Sequence, residues 1–84
     1  MNIRILYFAR LREEMGIAQE MLDLPASCDV KSLRAQLVAR GGASAAAFGQ
    51  GKAVRVSVNQ DLARDDTPVR AGDEVAFFPP VTGG

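Results

Sequence analysis

The residues with the clearest chemical potential stand at the end of the sequence, where Pro79 and Pro80 precede Gly83 and Gly84. Proline fixes φ near about −65° and glycine has no side chain, so residues 79–84 are predicted to form a flexible stalk with a stiff root and a bare tip. The α-carboxylate of such a tip has a pKa of about 3.3 to 3.7 and is a poor electrophile at neutral pH. Adenylation by ATP, followed by attack of a sulfur nucleophile, would convert it into a C-terminal thiocarboxylate. The chain end would then itself be the reagent.

The composition excludes most other chemistry. The 84 residues include no His, so imidazole catalysis, Ser-His-Asp systems and zinc sites with His are excluded. The single cysteine, Cys28, permits no internal disulfide, and we interpret it as a structural thiol rather than a persulfide carrier. Asp65 and Asp66 are interpreted as solvated turn residues, so no metal site is predicted. One small domain buries too little surface to form a deep active-site cleft of its own. This predicts that any chemistry is shared with a partner.

Charge and hydropathy limit the location and the partners. Ten basic residues balance ten acidic ones without a block of like charge, which argues against nucleic acid and anionic membranes. The apolar start at residues 5–9 is too short for a secretory signal or for the ~20 residues that span a bilayer. A soluble, cytoplasmic protein is therefore expected.

The elements that must position the tail follow from periodicity. A first strand is predicted at residues 3–8, a short helix at 9–15 ending at Gly16, and an edge strand at 18–24. Asp29 is placed to cap the clearest helix, which carries an apolar stripe and ends at residues 40–42. The stripe consists of Val30, Leu33 and Leu37.

The second half of the chain is predicted to return to strands. Residues 43–51, rich in Ala and Gly, are expected to form a loop with at most one helical turn. Residues 54–58 alternate as a strand, and 59–61 turn it into a hairpin with a short strand near Leu62. The remaining predictions are turns at Thr67-Pro68 and 71–73 and a last strand at 75–78, which Pro79 ends. The order β-β-α-β-β occupies one domain, residues 1–78, followed by the tail at 79–84.

Several segments resemble a known family. Residues 73–84, DEVAFFPPVTGG, are similar almost letter for letter to the carboxyl end of the small, sulfur-carrier subunit of molybdopterin synthase. Phe8-Ala9, Arg12-Glu13 and Gly16 resemble that family's first strand and short helix, and Val58-Asn59 its central hairpin. The resemblance spans the domain and is weakest over residues 41–52.

The resemblance implies an α+β fold of the ubiquitin-like β-grasp class. Its mixed sheet has four to five strands with the first and last adjacent and parallel, and the main helix packs on one face. It also implies that an activating enzyme, using ATP, adenylates Gly84, and that a sulfur-donor system then loads sulfur there, with Gly83 as the required neighbour. The chain would bind no cofactor and would not be a complete enzyme. Within a heterotetramer, the large subunit would hold cyclic pyranopterin monophosphate, and two sulfur transfers would make the dithiolene of molybdopterin.

In such a fold, strand alternation predicts a docking surface beside the tail. If Ile3, Ile5, Val75 and Phe77 face the helix, Leu6, Phe8, Ala76 and Phe78 face the other way. With Leu62 they would form an exposed apolar patch, which typically marks a partner site. The other interpretations are that residues 43–51 cover the patch or that it is ordinary core. The predicted partner-binding residues are Phe8, Arg12, Leu62, Phe78, Pro79, Pro80, Val81 and Thr82.

Three other functions remain open at this point. A ubiquitin-like modifier would join Gly84 to target lysines by an amide bond. The sulfur carrier of thiamine biosynthesis is similar in fold and tail but typically lacks Phe-Phe-Pro-Pro before its glycines. A purely structural module would not need Gly83 and Gly84.

Overall fold

The computed structural model of the chain describes residues 1–49 and 53–80. Within them, the structure forms seven strands and three helices. In chain order these are β1 (Asn2–Tyr7), α1 (Arg10–Met15), β2 (Gln19–Asp23), β3 (Cys28–Asp29), α2 (Val30–Ala39), α3 (Gly42–Phe48), β4 (Arg55–Val58), β5 (Asp61–Leu62), β6 (Pro68–Val69) and β7 (Glu74–Phe78). None of the helices in this part of the chain is long and apolar enough to cross a membrane.

The main sheet is mixed and has five strands in the order β2-β1-β7-β4-β5. The first and last strands pair in parallel, with Ile5 opposite Val75 and Tyr7 opposite Phe77. All other neighbours in this sheet pair antiparallel. The predicted mixed sheet, the parallel central pair and the edge position of the second strand are confirmed.

One face of the sheet, here called the inner face, carries the core. Alternate residues of β1 and β7 are buried on it, and the apolar stripe of α2 is buried with them. Asp29 begins α2 as predicted, since its carboxylate accepts a hydrogen bond from the Ser32 backbone N–H at 2.8 Å. The predicted inner-face residues Ile3, Ile5, Val75 and Phe77 are each at most 1% exposed.

The segment after α2 differs from the prediction. Residues 43–51 were expected to form a loop with at most one helical turn, but α3 spans seven residues, Gly42–Phe48. Gly41 and Gly42 have φ of 79° and 59°, which only glycine adopts readily and which lets a second helix start directly after the first. Phe48 then inserts into the core, with its ring centroid 4.8 Å from that of Phe77. Burial of Phe48, rather than a sequence period, accounts for this helix. Gln50 and Gly51 lie outside the described residues.

Two short elements were also missed. Pro68, predicted as a turn residue, lies in β6, which pairs antiparallel with β3, Cys28 opposite Val69 and Asp29 opposite Pro68. Two-residue strands are too short to show a period of two. The β4–β5 hairpin is confirmed, and its turn residues Asn59 and Gln60 have φ of 51° and 72°, as a type I′ turn requires.

Candidate functional site

The predicted tail leaves the sheet from a central strand. β7 lies between β1 and β4, and Pro79 and Pro80, both half-buried, follow it directly. The predicted carrier residues Gly83 and Gly84 lie outside the described residues, as do Val81 and Thr82. The candidate site that the structure does describe is the surface around this exit, which we call the tail root.

The outer face of the sheet brings the predicted docking residues together. Strand register places Leu6, Ala76, Ser57 and Leu62 in one row across four strands. Partners in register point to the same face of a sheet, so this row lies opposite the core. Two residues beyond Leu6 and Ala76 along the chain come Phe8, directly after β1, and Phe78, the last residue of β7, which precedes the tail root.

Exposure is concentrated at two positions of this face. Phe8 is 48% exposed and Leu62 is 68% exposed. Leu6 and Phe78 are half-buried, and Ala76, predicted to be exposed, is only 8% exposed. The methyl group of Ala76 lies between the longer side chains of Leu6 and Ser57, which shield it from solvent. Phe8, Leu62 and Phe78 remain as the apolar patch.

Residues 43–48 do not cover the apolar patch. Phe48 of α3 contacts the rings of Tyr7 and Phe77, with centroids 6.1 and 4.8 Å away. Both partners point to the inner face, so α3 lies on the side of the sheet opposite Phe8. Among the described residues, the alternative that this segment shields the patch is therefore wrong.

The backbone fixes Phe8 in its exposed position. Its N–H donates to the Phe77 carbonyl at 3.1 Å, and its carbonyl accepts from the Leu11 N–H at 3.1 Å. Ala9, between β1 and α1, has φ of 53° and ψ of −130°, a strained conformation for a residue with a Cβ. The chain thus turns from strand to helix within two residues, Phe8 and Ala9, and Phe8 keeps its bond to β7.

Arginines surround the tail root. Arg12, the predicted rim contact, is exposed on α1. Arg55, which was not predicted, is exposed on β4 directly opposite Phe78. Arg10 donates to the Ala53 carbonyl at 2.9 Å, which links α1 to the segment just before β4. Arg10 also pairs with Glu14 within α1. Sequence reading missed Arg55 because only the β4–β7 register shows that it neighbours the tail root.

A known protein family matches this chain. The ThiS family matches residues 5–84, nearly the whole chain. The chain belongs to this family. It is 43% identical over 84 residues to the molybdopterin synthase sulfur carrier subunit of Escherichia coli (strain K12), covering 98% of this chain and 99% of that protein. The family resemblance stated from the sequence is thereby confirmed.

Solved structures support the fold assignment of this ThiS family member. The small archaeal modifier protein 1 of H. volcanii superposes with a TM-score of 0.77 at 28% identity, covering 95% of this chain and 98% of that one. A complex of subunits 1 and 2 of the molybdopterin-converting factor from Helicobacter pylori contains a chain with a TM-score of 0.66 and 25% identity, both chains fully covered. The β-grasp prediction is confirmed.

A polar cluster that the sequence did not reveal stabilises the inner side of the domain. The Tyr7 hydroxyl donates to the Glu20 carboxylate, and Arg40 donates to both Glu20 oxygens at 2.9 and 3.0 Å and to the Ser44 hydroxyl. Hydrogen bonds from Arg40 are the largest influence on the pKa of Glu20, which lies below its usual value. Burial, and then the bond to Glu20, raise the pKa of Tyr7, so its hydroxyl remains a donor at neutral pH. The cluster links the edge strand β2 to α2 and α3.

The other candidates for chemistry are the thiol of Cys28 and a metal site. Cys28 is half-buried, and desolvation followed by the neighbouring Asp29 raises the pKa of its thiol, which therefore stays protonated at neutral pH. Across residues 1–49 and 53–80, no group of three or more Cys, Asp or Glu side chains could hold a metal ion.

Proposed function

We propose that this chain is the sulfur-carrier subunit of a molybdopterin synthase and that Gly84 carries the sulfur. The observation that supports this most directly is the apolar patch. Residues 43–48 do not cover it, and it lies at the root of a predicted Gly-Gly tail. Identity of 43% to a curated molybdopterin synthase sulfur carrier subunit supplies the substrate class. The proposal requires that Gly84 is the terminal residue of the protein in the cell.

Activation of the tail takes two balanced steps. The Gly84 carboxylate attacks the α-phosphorus of ATP on an adenylyltransferase, which forms an acyl-adenylate and releases pyrophosphate. A sulfur nucleophile at the oxidation level of hydrosulfide then attacks the acyl carbon and expels AMP. The product is a thiocarboxylate, a softer and stronger nucleophile than the carboxylate it replaces.

Transfer takes place in the partner. The thiocarboxylate sulfur forms a C–S bond to an oxygen-bearing carbon of cyclic pyranopterin monophosphate in the large subunit, and the C–O bond of that carbon breaks, its oxygen leaving with the bonding electron pair. Hydrolysis of the resulting thioester by water leaves the sulfur on the pterin and regenerates the Gly84 carboxylate. Two such transfers supply the two sulfurs of the dithiolene. The residues of this chain bind the large subunit and position the tail. Phe8, Leu62 and Phe78 contact the large subunit, Arg12 contributes a charged contact, and residues 79–82 of the tail contact the entrance of the pocket in that subunit.

Intact mass spectrometry tests this function. The chain is incubated with ATP, the adenylyltransferase and a sulfide source, beside a matched variant that lacks Gly83 and Gly84. We expect the full chain, and not the variant, to gain the mass of one oxygen-to-sulfur exchange and to lose it when the large subunit and the pterin are added. An unchanged mass in the full chain would refute the proposal.

A second candidate is a protein modifier, favoured by the similarity to small archaeal modifier protein 1. Both functions need the terminal glycines, so deleting them does not separate the two. Mass does: a modifier accumulates as higher-mass conjugates with lysines of other proteins, whereas a carrier returns to its unmodified mass after each transfer. The thiamine carrier is separated by its acceptor, since it would not deliver sulfur to the pterin.

A further inference from the structure

The charges around the apolar patch are unevenly compensated. On the outer face, Arg4 pairs with Glu74 at 3.8 Å, and on α1 Arg10 pairs with Glu14. Arg55 makes no ion pair with any residue in the ranges 1–49 and 53–80, and the same holds for Arg12. Both are exposed.

The tail root is therefore positive although the whole chain is neutral. The chain has ten basic and ten acidic residues. Around the tail root, α1 and β4 contribute the cations Arg10, Arg12 and Arg55 against the carboxylates of Glu13 and Glu14, which leaves one positive charge in excess. α1 contacts β7, so these charges lie beside the exit of the tail.

Arg55 occupies the most informative of these positions. It is the register partner of Phe78, the last residue of β7 before Pro79. Cross-strand partners have Cβ atoms about 4.5 to 5.5 Å apart and point to the same face, so Arg55 stands at the edge of the apolar patch. The nearest carboxylate along β7, Glu74, is four residues away, about 13 Å in a strand, and is already paired with Arg4.

We propose that Arg55 is a docking residue that faces a carboxylate on the large subunit, at the rim of the opening that the tail enters. This inference rests on the proposed function. An exposed cation gains little from a partner charge in affinity, but it raises the rate of encounter because charges steer diffusing proteins into register. Arg55 would thus align the tail with its entrance before the apolar patch makes contact.

Stopped-flow association with the cognate large subunit tests the role of Arg55. The variants are Arg55→Glu, Arg55→Lys and, as a matched control, Arg70→Glu, which changes the net charge equally at an exposed position away from the patch. At about 50 mM salt we expect Arg55→Glu to lower the association rate constant about 10-fold, and Arg70→Glu less than about 2-fold. Arg55→Lys keeps the charge and should remain within about 2-fold of wild type.

High salt supplies the internal check on folding. At about 1 M salt the Debye length falls to about 3 Å, so the rate constants of all four proteins should converge if only steering has changed. A persistent defect of Arg55→Glu at high salt, an equal effect of Arg70→Glu, or an unchanged rate for Arg55→Glu would each overturn the inference.

The two proposals fail in different ways. If the wild-type chain binds the large subunit and transfers sulfur while Arg55→Glu behaves like Arg70→Glu, only the role of Arg55 is refuted. If the wild-type chain neither binds the large subunit nor gains sulfur, the proposed function is refuted and the role of Arg55 with it.

Discussion

The backbone N–H of Phe8 donates to the carbonyl of Phe77 at 3.1 Å, so the exposed ring of one strand is tied to the strand from which the tail leaves. Phe77 itself is buried, while Phe8 is 48% exposed on the opposite face. This bond extends the pairing of β1 with β7 to Phe8 and so fixes the backbone of Phe8 relative to the tail root. A partner that binds Phe8 therefore also holds the first residues of the tail in a defined position.

Removal of the Phe8 ring should weaken docking without unfolding the domain. We expect Phe8→Ala to lower affinity for the large subunit by about 2 kcal/mol, roughly 30-fold, because exposed aromatic anchors dominate interfaces. The free energy of unfolding should change by less than about 0.5 kcal/mol. Titration calorimetry and chemical denaturation measure the two. Met21→Ala is the control, since Met21 is 63% exposed on the same face but on the far edge strand; an equal loss there would contradict the prediction.

The length of the tail should matter as much as its composition. We expect one alanine added after Gly84 to abolish sulfur transfer, because the reactive carbon moves by one residue and acquires a Cβ beside it. The unfolding midpoint should stay unchanged. Thiocarboxylate mass and molybdopterin formation give the readouts, and a chain with one extra glycine inserted between Thr82 and Gly83 separates length from bulk. Full transfer by the alanine-extended chain would rule out the Gly84 carboxylate as the site, since that carboxyl group is then an amide.

Asn59 should stabilise the hairpin by both its conformation and its side chain. The side-chain Nδ2 of Asn59 donates to Asp73 Oδ1, and its side-chain Oδ1 accepts from the Glu74 backbone N–H, both at 3.0 Å. We expect Asn59→Ala to cost about 1 to 2 kcal/mol in denaturant unfolding, since alanine loses both bonds and is strained at φ of 51°. Asn59→Gly should cost less. Gln60→Gly should instead stabilise by about 0.5 to 1 kcal/mol, because Gln60 has φ of 72°; a loss of stability there would contradict the assigned turn.

Truncation of Phe48 should be among the costliest changes in the domain. Its ring is 2% exposed and contacts those of Tyr7 and Phe77. We expect Phe48→Ala to destabilise by about 3 to 5 kcal/mol and to unfold α3 with it. Thermal unfolding measures the loss. Ala46→Ser, an exposed change on the same helix, is the control and should cost less than about 0.5 kcal/mol.

Acid should remove the stabilising contribution of Glu20. Because Arg40 lowers the pKa of Glu20 in the folded state, this contribution is complete above the ordinary value of 4.5 and is lost as pH falls through the lower folded pKa. We therefore expect the unfolding free energy of wild type to fall more steeply below about pH 4.5 than that of Glu20→Gln. Glu13→Gln, which removes one carboxylate at an exposed position on α1, is the control for the change in net charge. Parallel slopes for wild type and Glu20→Gln would show that the cluster has no linkage to pH.

Features with a regular period could be predicted from the sequence, and the others could not. The alternation of residues 3–8 and 75–78 predicted both faces of the central strands, and from them the positions of Phe8 and Phe78. The segment GASAAAF of α3 has no charge and no amphipathic pattern, so its helix depends on the tertiary burial of Phe48. Glu20 and Arg40 are twenty residues apart, and the register that places Arg55 beside Phe78 exists only once the sheet has formed.

The parallel pairing of β1 with β7 has a mechanical consequence. A force that draws on Pro80 acts along β7, which is hydrogen-bonded to β1 on one side and to β4 on the other. Such a load shears both ladders at once, so many bonds must break together, whereas a peeled edge strand would lose them one after another. If the tail is withdrawn from a partner's pocket, as the proposed function requires, the pulling force is carried by the whole sheet and the domain stays folded.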